Sequence, residues 1–257
     1  QYVDGMENLL YINEMKKKFQ LGLLSILPTH YSKKLNMLTT HRNILKWLAC
    51  QVTGWYEVYG RHFSWRYDGY SHYRLVVTEL LLQRTRAEAV SKFESYFFKT
   101  YPNWESLEHA SEEKISRTLA PLGLQQRRAK VLKNIAREIV SQKGQIPDKR
   151  TDIDSLPGVG QYIANAIELL IFDRPKPLLD TNMARVLERF IHPRKLSDIR
   201  YDPWLQEAAQ YLVEQGDPKK INWAVLDFAA LICKPRMPVC INCPIVDSCA
   251  FDSKTVK

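Results

Sequence analysis

No stretch of the 257-residue sequence approaches the ~20 consecutive apolar residues that a bilayer-spanning helix needs, so no membrane partner is expected. No internal repeat, low-complexity tract or convincing alternating strand is present, which argues against solenoids and all-β architectures. Glycine numbers only 10, and cysteine 5, which excludes collagenous and disulfide-scaffold classes. A hydrophobic fraction of 45% with 25% charged residues excludes a disordered chain. Acidic residues fall short of basic ones, 28 against 37, leaving a net charge of +9. That balance favours a polyanionic partner: nucleic acid first, an anionic surface second.

What is present is helical periodicity. Leu132, Ile135, Ala136, Ile139 and Val140 follow the i, i+3, i+4, i+7, i+8 rule. Met183, Val186, Leu187 and Phe190 repeat it, as do Leu205, Ala208, Ala209 and Leu212. Ile221 to Ile232 reads as a nearly all-apolar helix. Proline and glycine clusters at Pro102, Gly144 to Pro147, Pro157-Gly158, Pro175 to Pro177 and Gly216 to Pro218 separate these segments. The pattern predicts an all-α protein of short helices from about residue 41. Met15 to Leu27 mimics the basic and apolar parts of a signal peptide. Its apolar part is short, starts inside the chain and lacks a small-residue cleavage site, so it reads as an amphipathic helix or arm.

Four of the five cysteines, Cys233, Cys240, Cys243 and Cys249, fall within 17 residues with the spacing C-x6-C-x2-C-x5-C. Such clustering points to a metal centre, either a structural zinc or a [4Fe–4S] cluster. Zinc sites usually pair two C-x2-C knuckles, and only one is present, so the spacing suits a cluster better. Lys234 and Arg236 make the first loop cationic, able to contact phosphate or to balance thiolate charge. Cys50 is isolated.

Leu156-Pro157-Gly158-Val159-Gly160-Gln161-Tyr162-Ile163-Ala164 reads as a tight turn opening a helix. Its two glycines permit left-handed backbone and leave N–H groups bare at a helix start, an anion site suited to a DNA phosphate. Asp180 follows, just before the helix holding Arg185 and Arg189. It reads either as an N-cap or as a carboxylate at the mouth of a cleft.

The order of Phe63-Ser64-Trp65-Arg66, Thr78-Glu79-Leu80-Leu81-Leu82-Gln83-Arg84-Thr85, Gly123-Leu124, the 156–164 turn, the Asp180 segment and the cysteines resembles the helix–hairpin–helix DNA glycosylases of the endonuclease III superfamily. The likeness runs from Phe63 to Cys249. It implies two helical domains with DNA kinked across the groove between them: a six-helix barrel over 75–190, and a cluster domain made of 41–74 and 191–257. Residues 1–40 are left as an N-terminal extension. The resemblance also implies that Cys233, Cys240, Cys243 and Cys249 hold a [4Fe–4S] cluster.

Roles follow from the same resemblance. The target nucleotide is flipped out of the duplex. Asp180 matches the catalytic Asp that stabilises positive charge on the sugar and activates water. Glu79 matches the acid that adenine-type members use to help the base leave. Its neighbours Leu75, Val76, Val77, Leu80 and Leu81 predict an apolar setting that raises its pKa. Members that nick the strand carry Lys at the position of Tyr162, which forms an imine with the sugar. Tyr cannot, so little or no lyase activity is expected. Gly158, Val159, Gly160 and Gln161 are expected on phosphate. Gln83, Arg84 and Arg86 lie where relatives insert side chains into the duplex or read the widowed base, with Lys234, Arg236 and Asn182 as further DNA contacts.

Tyr162, the short stretch after Cys249 and the segments Phe63 to Arg66, Glu79 to Thr85 and Asp227 to Arg236 look most like the Mig-type thymine glycosylases. The expectation is a monomeric DNA glycosylase of base excision repair acting on thymine or uracil opposite guanine in double-stranded DNA. Its setting would be the cytoplasmic nucleoid, or the nucleus of a eukaryote. An extra domain that reads 8-oxoguanine, usual in MutY-type adenine glycosylases, is not expected. Adenine opposite guanine or 8-oxoguanine, modified pyrimidines, and a non-catalytic mismatch binder are the alternatives. A zinc-containing regulatory protein is a weaker one.

Overall fold

The computed structural model describes residues 35–251, with side chains from residue 41 on. Most of the extension expected over 1–40, with the arm at 15–27, lies outside these residues. The first described helix, α1 (Leu35–Tyr59), begins inside that extension. Ten more follow: α2 (His72–Leu82), α3 (Ala87–Thr100), α4 (Trp104–His109), α5 (Glu112–Leu119), α6 (Gln125–Ser141), α7 (Arg150–Ser155), α8 (Gln161–Ile171), α9 (Thr181–Phe190), α10 (Pro203–Val213) and α11 (Pro218–Leu231). No strand occurs among the described residues, so the all-α class holds.

Local chemistry sets the boundaries. Ser71, Ser111, Asp180, Asp202 and Asp217 each accept from a backbone N–H in the first turn of the helix they precede. Asn103 and Ser106 form a reciprocal capping box on α4. Pro203 and Pro218 occupy first-turn positions, where a missing N–H costs nothing.

Two large apolar cores organise the unit from Arg42 onward. The first gathers Phe63, Trp65 and the buried faces of α2 through α8. The second joins α1, α9, α10 and α11 with Ile245 and the cysteine loops. Helix α9 was expected with the 75–190 segment, yet Met183, Val186, Leu187 and Phe190 all pack in the second core. The physical reason is its amphipathic stripe, which faces α10 and α11. Between the cores, Leu178 packs with Ala166 and Leu169 against Leu226. Asn222 fixes this crossing: its side chain accepts from Leu178 N at 2.6 Å and donates to Lys176 O at 3.0 Å. Asn165 donates to Pro177 O at 2.9 Å. These bonds set the chain leading into Asp180.

Candidate active site

A cavity of about 1030 Å³ opens where α2, α8, α9 and α11 converge. Glu79, Tyr162 and Asp180, far apart in sequence, all line it. Trp65, Leu178, Leu179, Trp223 and Leu226 supply apolar wall. Seven arginines line it against four carboxylates, so its surroundings favour a polyanion.

Glu79 lies on α2 with only 5% of its surface exposed. Burial pushes its pKa up to about 7, against the opposing pull of the Arg66 cation and a hydrogen bond from Tyr162. Its Oε2 atom has no protein partner. Tyr162, on the first turn of α8, is held as a neutral phenol. Burial raises its pKa well above the usual value, and the charges of Glu79 and Asp180 raise it further.

Asp180 caps α9: Oδ1 accepts from Asn182 N at 2.8 Å and Met183 N at 2.9 Å. It therefore combines the two readings left open by the sequence, being both an N-cap and a cavity carboxylate. Oδ2 accepts from Asn182 Nδ2 at 2.6 Å. Burial raises the Asp180 pKa, and these donors together with Arg185 oppose the rise. The chain of contacts continues outward. Arg185 donates to Asn182 Oδ1 at 3.0 Å, to Cys233 O at 2.8 Å and to Ala229 O at 3.0 Å. Asn182, expected on DNA, thus spends its side-chain amide on Asp180 and Arg185.

In the sequence, Arg66 stands only as part of the Phe63 to Arg66 landmark. The structure makes it a buried wall of the cavity. It forms a two-pronged pair with Asp227, at 2.8 and 2.9 Å. Asp227 has no exposed surface and also accepts from Arg61 N at 2.7 Å and Arg61 Nε at 2.9 Å. Two guanidiniums hold its pKa below the ordinary value despite burial. The Arg66 guanidinium lies 4.9 Å from the Phe63 ring centroid and 5.7 Å from that of Trp223. Its Nε, like Glu79 Oε2, is buried without a protein partner.

Gln83, Arg84 and Arg86 line the cavity on the turn between α2 and α3. Arg84 adopts left-handed backbone, φ 58°. Leu124 joins them: it is 50% exposed, lines the same cavity and also has φ 52°. Arg128 ties the two turns together by donating to Gln83 O at 2.6 Å, Gly123 O at 2.8 Å and Thr85 Oγ1. Leu124 and Arg128 were missed as site residues. The Gly123-Leu124 landmark was the only signal available.

The hairpin uses its glycines differently. Gly158 is left-handed, φ 77°, and a Cβ there would meet Val131 Cγ1 at 2.3 Å. Gly160 is not left-handed. It stands at the N-cap with φ −103°, and a Cβ there would meet nothing within 4 Å. No side chain caps α8, so the first N–H groups of the helix have no side-chain acceptor. Val159 N is used within the turn, donating to Leu156 O at 3.1 Å, and Gln161 Nε2 donates to Gln206 Oε1 at 2.9 Å.

The four clustered cysteines are free thiols, each partly exposed. Cys233, Cys243 and Cys249 pack against the second core. Cys243 is near enough to the other three for each to bear on its charge, and burial pushes it up to about 11. Arg189 approaches Cys233 Sγ at 3.6 Å and donates to Lys234 O at 2.7 Å and Pro235 O at 3.0 Å. Lys234 and Arg236 are exposed on this braced loop. Among the described residues, no group of three or more His, Cys, Asp or Glu stands close enough to hold a single metal ion.

Residues 77–199 match the model of the HhH-GPD superfamily base excision DNA repair protein. The chain is 34% identical to a thymine-DNA glycosylase of Aeropyrum pernix, over 84% of its own length and 98% of that protein. It is 38% identical to a thymine/uracil-DNA glycosylase of Pyrobaculum aerophilum, over 79% of its length and 90% of the relative. A solved thermostable thymine-DNA glycosylase superposes with a TM-score of 0.76 at 30% identity, over 82% of this chain and 98% of that one.

Proposed function

The chain belongs to the HhH-GPD superfamily of base excision DNA repair proteins, and on that premise we propose that it is a monofunctional DNA glycosylase for thymine or uracil opposite guanine. The observation that carries this reading is the meeting of Glu79, Tyr162 and Asp180 in one arginine-lined cavity. The relatives matched over most of both chains act, by their names, on thymine and uracil.

The chemistry runs as follows. Double-stranded DNA with a mismatched base is the substrate, and the base is flipped out to enter the cavity. Breaking the N-glycosidic bond leaves positive charge on the sugar and negative charge on the departing pyrimidine. The Asp180 carboxylate stabilises the sugar cation and takes a proton from the attacking water. Donors from Asn182 and Met183, with the nearby charge of Arg185, favour its ionised form. Glu79, neutral in part of the population near pH 7, donates from its unpartnered oxygen to the leaving base. Tyr162 keeps its proton and offers no amine, so no imine to the sugar forms and the strand stays whole.

Cys233, Cys240, Cys243 and Cys249 would hold a [4Fe–4S] cluster. The thiols stand near enough for each to bear on the charge of Cys243, and a [4Fe–4S] centre would take all four, one iron per thiolate. The cluster would act as a clamp on the loop that bears Lys234 and Arg236, braced by Arg189.

Base release from duplexes containing T·G, U·G, A·G and A·8-oxoguanine tests the reading. Release from T·G and U·G, with strand cleavage only after alkali, is expected. Cleavage without alkali at the rate of base release would sink the monofunctional assignment, and release only from adenine pairs would sink the substrate.

A further inference from the structure

The loop between α9 and α10 reaches the same cavity. Asp198, Ile199 and Arg200 line it together with Asp180. One side chain ties this loop to the hairpin: Gln206 Nε2 donates to Ile199 O at 2.9 Å, while its Oε1 accepts from Gln161 Nε2 at 2.9 Å. Gln161 is the first residue of α8. Arg200 is therefore carried at the edge of the cavity that borders the uncapped helix start.

Asp198 fixes the arginine in place. Its Oδ1 accepts from Arg200 N at 3.0 Å and from Nε at 3.0 Å, and its Oδ2 accepts from Nη2 at 2.6 Å. The Arg200 side chain nonetheless keeps 60% of its surface exposed. A guanidinium carries five N–H donors, and this pairing occupies only two of them. An exposed ion pair adds little to stability. Its consequence is different: a long cationic side chain is already ordered, so the entropic cost of using it on a ligand is reduced.

We propose that Arg200 is a phosphate clamp for the strand that carries the flipped nucleotide, acting beside the hairpin N–H groups. The ligand is a phosphodiester oxygen. A guanidinium is suited to it because two parallel N–H groups match two oxygens of one phosphate. The 60% exposure of its side chain, against the burial of Glu79, assigns Arg200 to the backbone and not to the base. The proposal rests on the glycosylase reading for its substrate.

The test uses the full chain and a T·G duplex whose thymidine carries a 2′-fluoro sugar that blocks hydrolysis. Binding is measured from about 50 to 200 mM salt. Arg200→Ala is expected to bind about tenfold more weakly, with the slope of log K against log salt reduced by about one. Arg200→Lys keeps the charge and is expected to restore the slope. A merely structural residue would lower the melting temperature without changing the slope. Arg200→Ala with the wild-type slope would overturn the proposal. A reduced slope in Arg200→Ala, with no base released by the wild type from an unmodified T·G duplex, would overturn the glycosylase reading and leave Arg200 on phosphate.

Discussion

The Tyr162 hydroxyl donates to the Glu79 carboxyl inside the cavity, and this bond counteracts part of the rise that burial imposes on Glu79. The sign fixes a pH dependence. Glu79 must be protonated to assist the leaving base, and Asp180 must be ionised to stabilise the sugar. Single-turnover base release is therefore expected to fall as pH rises through about 7. Tyr162→Phe removes the donor, raises the Glu79 pKa further and moves the alkaline limb to higher pH. An alkaline limb that stays in place in Tyr162→Phe would assign the limb to another group. Glu79→Gln should remove that limb while slowing release by about 10²–10⁴-fold.

The same group links stability to pH. Glu79 moves from 4.5 unfolded to about 7 folded, so the folded state holds the proton more tightly. Its favourable contribution is complete below about 4.5 and is lost as pH rises through about 7. At pH 8 the wild type buries an ionised carboxyl that Glu79→Gln lacks. The variant is expected to be more stable there, by up to about 3 kcal/mol for a shift of roughly 2.5 units. Near pH 4 the two proteins should converge. Denaturant unfolding at both pH values checks it, and a pH-independent difference would contradict the burial argument.

Asp180 serves two functions that substitutions separate. Asn is as good an N-cap as Asp, so Asp180→Asn should fold normally and bind a mismatched duplex. Base release should fall at least about 10²-fold, because a neutral amide cannot offset the sugar's charge. Asp180→Ala also loses the cap and should cost roughly 1 kcal/mol of stability. Release by Asp180→Asn at a wild-type rate would remove Asp180 from the chemistry.

The helices carrying this site were legible because their apolar residues recur at helical spacing, as at Leu132 to Val140 and Met183 to Phe190. Glu79 was legible as a buried acid because its neighbours on both sides are apolar. Tertiary packing decided the rest. Arg66 and Asp227 are separated by 161 positions, and nothing local announces that they pair. Asn182 is expected on DNA from the resemblance; the Arg185 that braces it on the same helix is itself held by acceptors at Ala229 and Cys233 that arrive only when α9 docks on α11. The assignment of α9 to the first domain failed to anticipate that docking for the same reason. Gly160 promised left-handed backbone from residue type alone, but only Gly158 is placed where the chain demands it.

Arg185 joins the Asp180 cap to the cysteine loop through four acceptors, including Thr181 O. Arg185→Met preserves much of the apolar stem and leaves the Cys233 and Ala229 carbonyls without this donor. A loss of about 1–3 kcal/mol in unfolding free energy is expected. Asn182 would also lose its brace, so base release should fall more than DNA affinity does. Equal falls in both would mean that Arg185 supports the fold alone.

Leu124 places stability and function in opposition. A branched residue at φ 52° stores roughly 1 kcal/mol of backbone strain, and Leu124 does so with half its surface exposed beside the cavity. Arg128 holds this turn against the Gln83 turn, so both present side chains on one rim. An apolar side chain held in water at a cost in strain is expected to pack against unstacked bases when a duplex binds. Leu124→Gly should relieve the strain and match or exceed wild-type stability, whereas Leu124→Ala should not. Both should bind a T·G duplex about tenfold more weakly, since burying a leucine side chain contributes roughly 1.5–3 kcal/mol. Denaturant unfolding and duplex binding on the same preparations decide the matter. Leu124→Gly that binds as tightly as wild type would leave the strained leucine without a role in DNA binding.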